Sequence, residues 1–152
     1  MCVADYKSPT FKKNTSYQRG KLMPLIYGAT SRAIIMQITG KRLENLINLE
    51  NFKSDEDKKN FLKDLKSDRK KGYCFTEGQV DKGLIGFAVS ISNKKLGIVA
   101  SLSSIFNLDD FLLEHEPIIY ANLTTYGLFV EKYINEIFED IQKYHHETNS
   151  IG

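Results

Sequence analysis

Residues 72–106 read GYCFTEGQVDKGLIGFAVSISNKKLGIVASLSSIF, and two apolar runs dominate them. A Gly-Tyr pair leads into a polar loop around Glu77 to Gln79, and a Lys-Gly turn at Lys82-Gly83 opens the first run, Leu84 to Ile91. A second turn at Asn93 to Lys95 separates it from the other run, Leu96 to Phe106. Apolar runs of this length joined by a short polar turn predict a β-hairpin. In the second strand Ser101, Ser103 and Ile105 alternate with Leu102, Ser104 and Phe106. Side chains on a strand alternate between faces, so the hydroxyls at 101 and 103 share one face, as a pocket for a polar small molecule requires. Cross-strand backbone, water or a ligand carboxylate can each satisfy them. Left unpaired in a buried strand, each would cost on the order of 1–3 kcal/mol.

Upstream of the hairpin the pattern is helical. Thr30 and Ser31 predict the N-cap of a helix running through Ile38, with Gly40 as its stop. A short helix follows over Arg42 to Leu49, with Leu43, Leu46, Ile47 and Leu49 inward. Ser54 predicts the cap of a third helix, whose first turn holds Asp55, Glu56 and Asp57, where the helix dipole favours negative charge. Phe61, Leu62 and Leu65 point inward, the charged remainder is a solvated face, and Gly72 ends it. Downstream, Pro117 falls in the first turn of a long helix. There Ile119, Leu123, Tyr126, Val130, Tyr133, Ile134, Ile137, Phe138 and Ile141 recur at three-to-four spacing, a stripe that must bury against a sheet or a partner chain. Met1 to Tyr6 reads as a short strand, and Gly20 to Ala29, with Pro24 and Gly28, as extended or irregular. A domain that opens directly on a strand suggests that a segment upstream has been removed. The order of strand, helices, hairpin and long helix argues for an α+β fold with an antiparallel sheet.

The 152 residues fit one domain with a real core, and 41% apolar with 26% charged residues is ordinary for a globular chain. A net charge of +2, with Lys and Arg interleaved with acids as in EDKKNFLKDLKSDRKK, gives no nucleic-acid-binding patch. No apolar run reaches the roughly 18 residues that span a bilayer, and the start lacks a secretory pattern. Cys2 and Cys74 are the only cysteines, which fits reduced thiols in the cytoplasm. The reading is a cytoplasmic single-domain protein with no membrane association.

Catalytic patterns are weak. Cys74, in GYCF, lacks a histidine in a local signature and reads as a small strand or loop residue more readily than as a nucleophile. His115, His145 and His146 have no metal-ligand spacing, and nothing matches a Walker or GxGxxG pattern. Asp109-Asp110 and Glu114/Glu116 lie beside helix starts, where capping explains them. The expectation is a binding domain, with no enzyme activity, metal or cofactor.

Taken together, these segments resemble the C-terminal effector-binding domain of IclR-type bacterial transcription regulators. Gly20, Pro24, Leu25, Ala29, Arg32 and Ala33 match the family's opening pattern, and RKKGYC (Arg69 to Cys74) matches its basic helix end and RGY motif. Gly83, Leu84, Phe87, Ala88 and Val89 match one strand, and Ile98 to Ser103 the next, with a long helix following in both. The resemblance implies a GAF/profilin-like antiparallel sheet flanked by helices, spanning residues 1–146, with a disordered tail at 147–152. It also implies a small organic acid or aromatic effector, association into a homodimer or homotetramer, and DNA contact only through a winged helix-turn-helix domain whose place would be before Met1. Carried over position by position, the ligand-binding set is Met23, Ala29, Thr30, Thr76, Gly86 and Ser103. Ser101 joins it from the hydroxyl face, and Ile105 closes what is often a second hydroxyl site. Ala29 and Thr30 would offer free N–H groups to a carboxylate. Ile105-Phe106 in place of Ser-Gly, Ile85 in place of Arg, Ile26 in place of His and the uncharged Thr76 make the pocket less polar than the family's. They imply a ligand with more apolar surface than a two-carbon acid. The alternative is a stand-alone small-ligand-binding or interaction domain with no DNA-binding role.

Overall fold

The computed structural model describes the backbone of residues 1–149 and the side chains of residues 1–139. Three helices, α1 (Ala29–Ile35), α2 (Gly40–Leu49) and α3 (Asp55–Lys71), precede three strands, β1 (Cys74–Glu77), β2 (Leu84–Asn93) and β3 (Ile98–Asn107). Two single 3-10 turns then lead to α4 (Glu116–Asn149). The fold is α+β, with an antiparallel sheet of order β1-β2-β3 and a long C-terminal helix.

The hairpin forms as its sequence predicts, in unbroken register from Leu84 opposite Asn107 to Asn93 opposite Ile98. Because the register is continuous, the two faces of the sheet stay chemically distinct. Rows such as Thr76–Gly86–Ile105 and Cys74–Ala88–Ser103 make one face, of mostly small residues. Small residues let α1 lie close: Ala29 and Ala33 on α1 join Cys74 and Ala88 in one buried cluster. The opposite face carries Phe75, Phe87 and Phe106 and packs beneath Phe111, Tyr120 and Leu123. The Phe87 ring, fully buried, lies 5.0 Å from that of Phe75 and 5.5 Å from that of Phe111.

Helix α3 starts and stops where expected. Ser54 Oγ accepts from the Asp57 N–H at 3.1 Å, and Gly72 takes the left-handed conformation at the C-cap (φ 84). Its inward stripe, though, is Phe61, Leu65 and Asp68, the i, i+4, i+7 line, which leaves Leu62 half exposed. Asp68 is buried because Arg32 meets it, so the charged side of α3 is not wholly solvated. On α2, Ile47 is buried and Leu43 and Leu46 pack beside it, while Leu49 points into solvent at the last turn.

Three boundaries differ from the sequence reading. Helix α1 is capped at Gly28, two residues before Thr30, and ends three residues sooner, with Thr30 and Ser31 inside its first turn. The Ser31 hydroxyl donates back to the Pro24 carbonyl at 2.6 Å instead of capping. Gly40 opens α2 after an extended Thr39, and the end of α1 is held by Arg69, whose guanidinium donates to the carbonyls of Met36 and Ile38. Met1 to Tyr6 is not a strand. Its only backbone pairing is Cys2 with Gly20 and Lys21, and Tyr6 and Val3 lie exposed, so the segment has no face to bury.

Helix α4 carries Pro117 in its first turn, as predicted, but its apolar residues fall on two lines instead of one. Tyr120, Leu123 and Gly127 face the sheet, with Gly127 close enough that a Cβ there would lie 3.4 Å from Val89 Cγ2. Tyr126, Val130, Tyr133 and Ile137 lie on the outer line and are exposed. The helix continues through Asn149, past Glu147, where the sequence reading placed a disordered tail. Residues 150–152 and the side chain of Ile141 lie outside the described residues.

Candidate functional site

The start of α1 sits against the small-residue face of the sheet, and between them is a cleft. Ala29, Thr30, Thr76, Gly86 and Ile105, five of the eight residues selected from sequence, line it together. Gly86 and Ile105 are register partners, so the isoleucine side chain occupies the face that the glycine leaves open. A Cβ on Gly86 would stand 3.5 Å from Ala29 Cβ and 3.6 Å from Thr76 Oγ1, ordinary contact distances. The cleft encloses about 20 Å³, the room of a single water molecule.

Two amides at the head of α1 are already matched. The Ala29 N–H donates to Thr76 Oγ1 at 3.0 Å, and the Gly28 N–H to Gln79 Oε1 at 3.1 Å. These side chains, Thr76 on β1 and Gln79 on the β1–β2 connection, replace the self-capping side chain that Gly28, the N-cap, cannot supply.

A strap from the irregular N-terminal segment forms one wall of the cleft. Asp81 accepts from the Ser16 backbone N–H at 2.8 Å and from its hydroxyl at 2.5 Å, which holds the neighbouring Tyr17 in the lining. Burial pushes the Tyr17 phenol above its ordinary value, partly offset by a hydrogen bond with Thr30. Gly28 makes this packing possible: its φ is 83, and a Cβ there would lie 2.6 Å from Tyr17 Oη and 2.7 Å from Val80 Cγ2. Lys13 adds a second attachment, donating to the Gly83 carbonyl at 3.1 Å.

Met23, Ser101 and Ser103 do not line this cleft. Met23 is half-buried before the Pro24 bend. Ser101 and Ser103 lie further along β3, on the same face as Ile105, and Ser103 borders a separate, open groove against α4. Tyr17, Gln79, Val80 and Asp81 also line it, with Leu84 and Ile85 of β2, and were not selected from sequence. The polar run around Gln79 marks a loop without saying where it folds, and nothing local sets Tyr17 apart from the chain's other tyrosines.

Beneath the cleft, Arg32 and Asp68 form a buried ion pair, with Nε 2.6 Å from Oδ2. The guanidinium also donates to Asp64 Oδ2 at 3.2 Å and to the Phe75 carbonyl at 2.8 Å. Burial raises the Asp68 carboxyl above its ordinary value, against the pull of Arg32. Cys74 lies next to this pair, fully buried. Burial, followed by the neighbouring Asp68 charge, pushes its thiol far above the ordinary value. A thiol held protonated in this way is a packing residue.

Against known proteins, no protein-family model and no curated protein matches the sequence. Solved structures do match in fold. A protein described as an IclR transcriptional regulator from Silicibacter sp. TM1040 superposes with a TM-score of 0.76 at 12% identity, over 87% of this chain and 54% of its own. An IclR transcriptional regulator from Alicyclobacillus acidocaldarius gives 0.72 at 17%, over 86% and 54%. The inducer-binding domain of a PobR transcription factor double mutant from Acinetobacter, solved with 3-hydroxybenzoic acid, gives 0.65 at 16%, over 79% and 72%. The chain therefore has the effector-domain fold of IclR-type transcription regulators. It spans about half the length of the regulators it matches.

Proposed function

We propose that this chain is the small-molecule effector-binding domain of a transcription regulator, and that its ligand occupies the cleft between the head of α1 and the sheet. The observation that carries this reading is the convergence of Ala29, Thr30, Thr76, Gly86 and Ile105 beneath Tyr17, with two backbone amides poised at one end and an apolar floor at the other. Pockets of this kind combine a mostly apolar lining with a few placed donors. Small-molecule sites usually enclose some hundreds of Å³, so the cleft must widen for a ligand larger than water, and the Tyr17 strap is the wall held by the fewest contacts to the sheet. Binding is thereby coupled to a segment outside the sheet. Such a segment can pass differential affinity on to a DNA-binding module in the same regulator, by linkage between the two sites. The PobR inducer-binding domain, with its aromatic acid, supports the same ligand class here.

The test is isothermal titration against benzoate, 3-hydroxybenzoate, pyruvate and glyoxylate, with Gly86→Ala as the blocked control. Binding of an aromatic or branched acid that disappears in Gly86→Ala supports the proposal. Tight glyoxylate or pyruvate binding overturns the apolar-ligand assignment, and binding untouched by Gly86→Ala overturns the site.

A further inference from the structure

Along α3 the sequence interleaves bases with acids, and the fold separates them. Asp64 and Asp68 turn to the Arg32 guanidinium, at 3.2 and 2.6 Å, and Asp57 accepts the Tyr27 hydroxyl at 3.1 Å. Asp55 and Glu56, the exposed acids of the helix, are confined to its first turn. Beyond that turn the outward face carries Lys59, Lys63, Lys66 and Lys70, all exposed. At 3.6 residues per turn these four fall within about 60° of arc, opposite the buried line Phe61, Leu65 and Asp68, and they run about 16 Å along the helix. Among the described residues none of the four makes an ion pair. Arg69 and Lys71, beside them, are engaged within the chain: Arg69 holds the carbonyls of Met36 and Ile38, and Lys71 sits over the Tyr73 ring. Like charges three or four residues apart destabilise a helix. Here three such steps follow one another, with no acid on the outward face to offset them.

The chemistry of the row selects its occupant. A helix lying in a membrane surface turns a full apolar face to the lipid, whereas the apolar face of α3 is buried against α1 and β1. Leu62 is its one exposed large apolar side chain. Protein interfaces are depleted in lysine and depend on aromatic or arginine anchors. The one aromatic residue of α3, Phe61, is buried. A phosphodiester backbone asks for neither an apolar face nor an anchor, only for cations spaced along it. One strand of a duplex rises 3.4 Å per phosphate, so the four lysines face roughly five phosphates over their length.

We infer that the outward face of α3 is a contact surface for the sugar-phosphate backbone of duplex DNA, made by Lys59, Lys63, Lys66 and Lys70. The choice of duplex DNA rests on the regulator reading above; the row and its fit to a polyanion do not. Contacts to phosphate position a protein on the duplex without reading its sequence. The domain then carries a backbone contact of its own, beside whatever module reads the bases. The sequence reading found no such patch because a net charge of +2 and alternating signs along the chain do not show which side chains α3 turns inward. None of the four lysines lines the ligand cleft.

The test is fluorescence anisotropy of the 152-residue chain with a labelled duplex of arbitrary sequence. Affinity should fall roughly a hundredfold between about 50 and 200 mM salt, as four phosphate contacts require. Lys63→Gln/Lys66→Gln should keep the fold by circular dichroism and lower the salt slope by about two. Lys94→Gln/Lys95→Gln, on the β2–β3 turn, removes the same charge and should bind as the native chain does. No binding at low salt, or a turn variant that loses as much as the α3 variant, overturns the inference. So does tighter association with phosphatidylserine vesicles or with polyglutamate than with the duplex. Acids titrated into the cleft read the proposed function separately. Duplex binding that persists without acid binding supports the α3 contact and removes the effector, and acid binding that persists without duplex binding removes the α3 contact alone.

Discussion

Arg32 Nε donates to Asp68 Oδ2 at 2.6 Å, and the two residues are only 4% and 5% exposed. This pair fastens the helix that heads the cleft to α3, and through the Phe75 carbonyl to the sheet. Removing one partner strands the other as a buried, unpaired charge. Asp68→Ala or Arg32→Ala should therefore lower unfolding free energy by about 3–5 kcal/mol, read as a drop in urea midpoint. The apolar double variant Arg32→Met/Asp68→Leu should lose much less than the sum of the singles, because no charge is left behind.

Gly86→Ala should separate stability from binding. The new methyl meets its neighbours at ordinary van der Waals distances and fills the cleft. Unfolding free energy should change by less than about 1 kcal/mol, while effector binding by calorimetry falls to background. Gly28→Ala is the contrast. Its φ of 83 and the 2.6 Å approach to Tyr17 Oη force the strap off, at about 1–3 kcal/mol for the strained backbone alone.

Asp81→Ala removes both hydrogen bonds from Ser16 and frees the strap. Hydrogen exchange of the Ser16 and Tyr17 amides should quicken by on the order of tenfold. Exchange in β2 should stay as it was, because the sheet does not depend on this contact.

The Tyr73 hydroxyl donates to Glu116 at the head of α4. That hydrogen bond to a carboxylate, with burial, raises the phenol from its ordinary 10.0 to about 12. A folded-state value above the unfolded one means that the contribution is whole below pH 10 and lost as pH climbs towards 12. The difference in stability between the native chain and Tyr73→Phe should be constant up to pH 10 and shrink between pH 10 and 12, measured by denaturation at each pH.

Thiol titration gives a further check. Cys74 is fully buried, with its thiol held protonated by burial and by Asp68, while Cys2 is partly exposed. At neutral pH one thiol per native chain should react with an aromatic disulfide, and the second only after unfolding. Rapid labelling of Cys74 in the native protein would reopen a nucleophilic role for it.

The hairpin, the capped and terminated α3 and the proline at the head of α4 were legible because each is a local pattern with one structural solution. The cleft was legible in part. Ala29, Thr76, Gly86 and Ile105 sit on elements whose pairing follows from period-two and turn signals, so a resemblance in order carried them to one place. Tyr17, Gln79 and Asp81 were not, since irregular segments reach the site through single side-chain hydrogen bonds between residues about 50 to 65 positions apart. Nor could spacing split the apolar positions of α4 into two lines. Leu123 and Tyr126 both satisfy a three-to-four rhythm, and only the width of the sheet decides which is covered.

The unbroken pairing of β2 with β3 also restricts how this sequence can drift. One residue gained or lost inside either strand would turn every side chain beyond it to the other face, sending Phe87 or Phe106 into the narrow space under α1 and serines into the aromatic layer. Solved structures that share the fold are only 12–18% identical to this chain over the superposed region. Length variation should collect in the turn at Asn93 to Gly97 and in the loop from Gly78 to Gly83, and within the strands it should survive only in steps of two or with a compensating bulge.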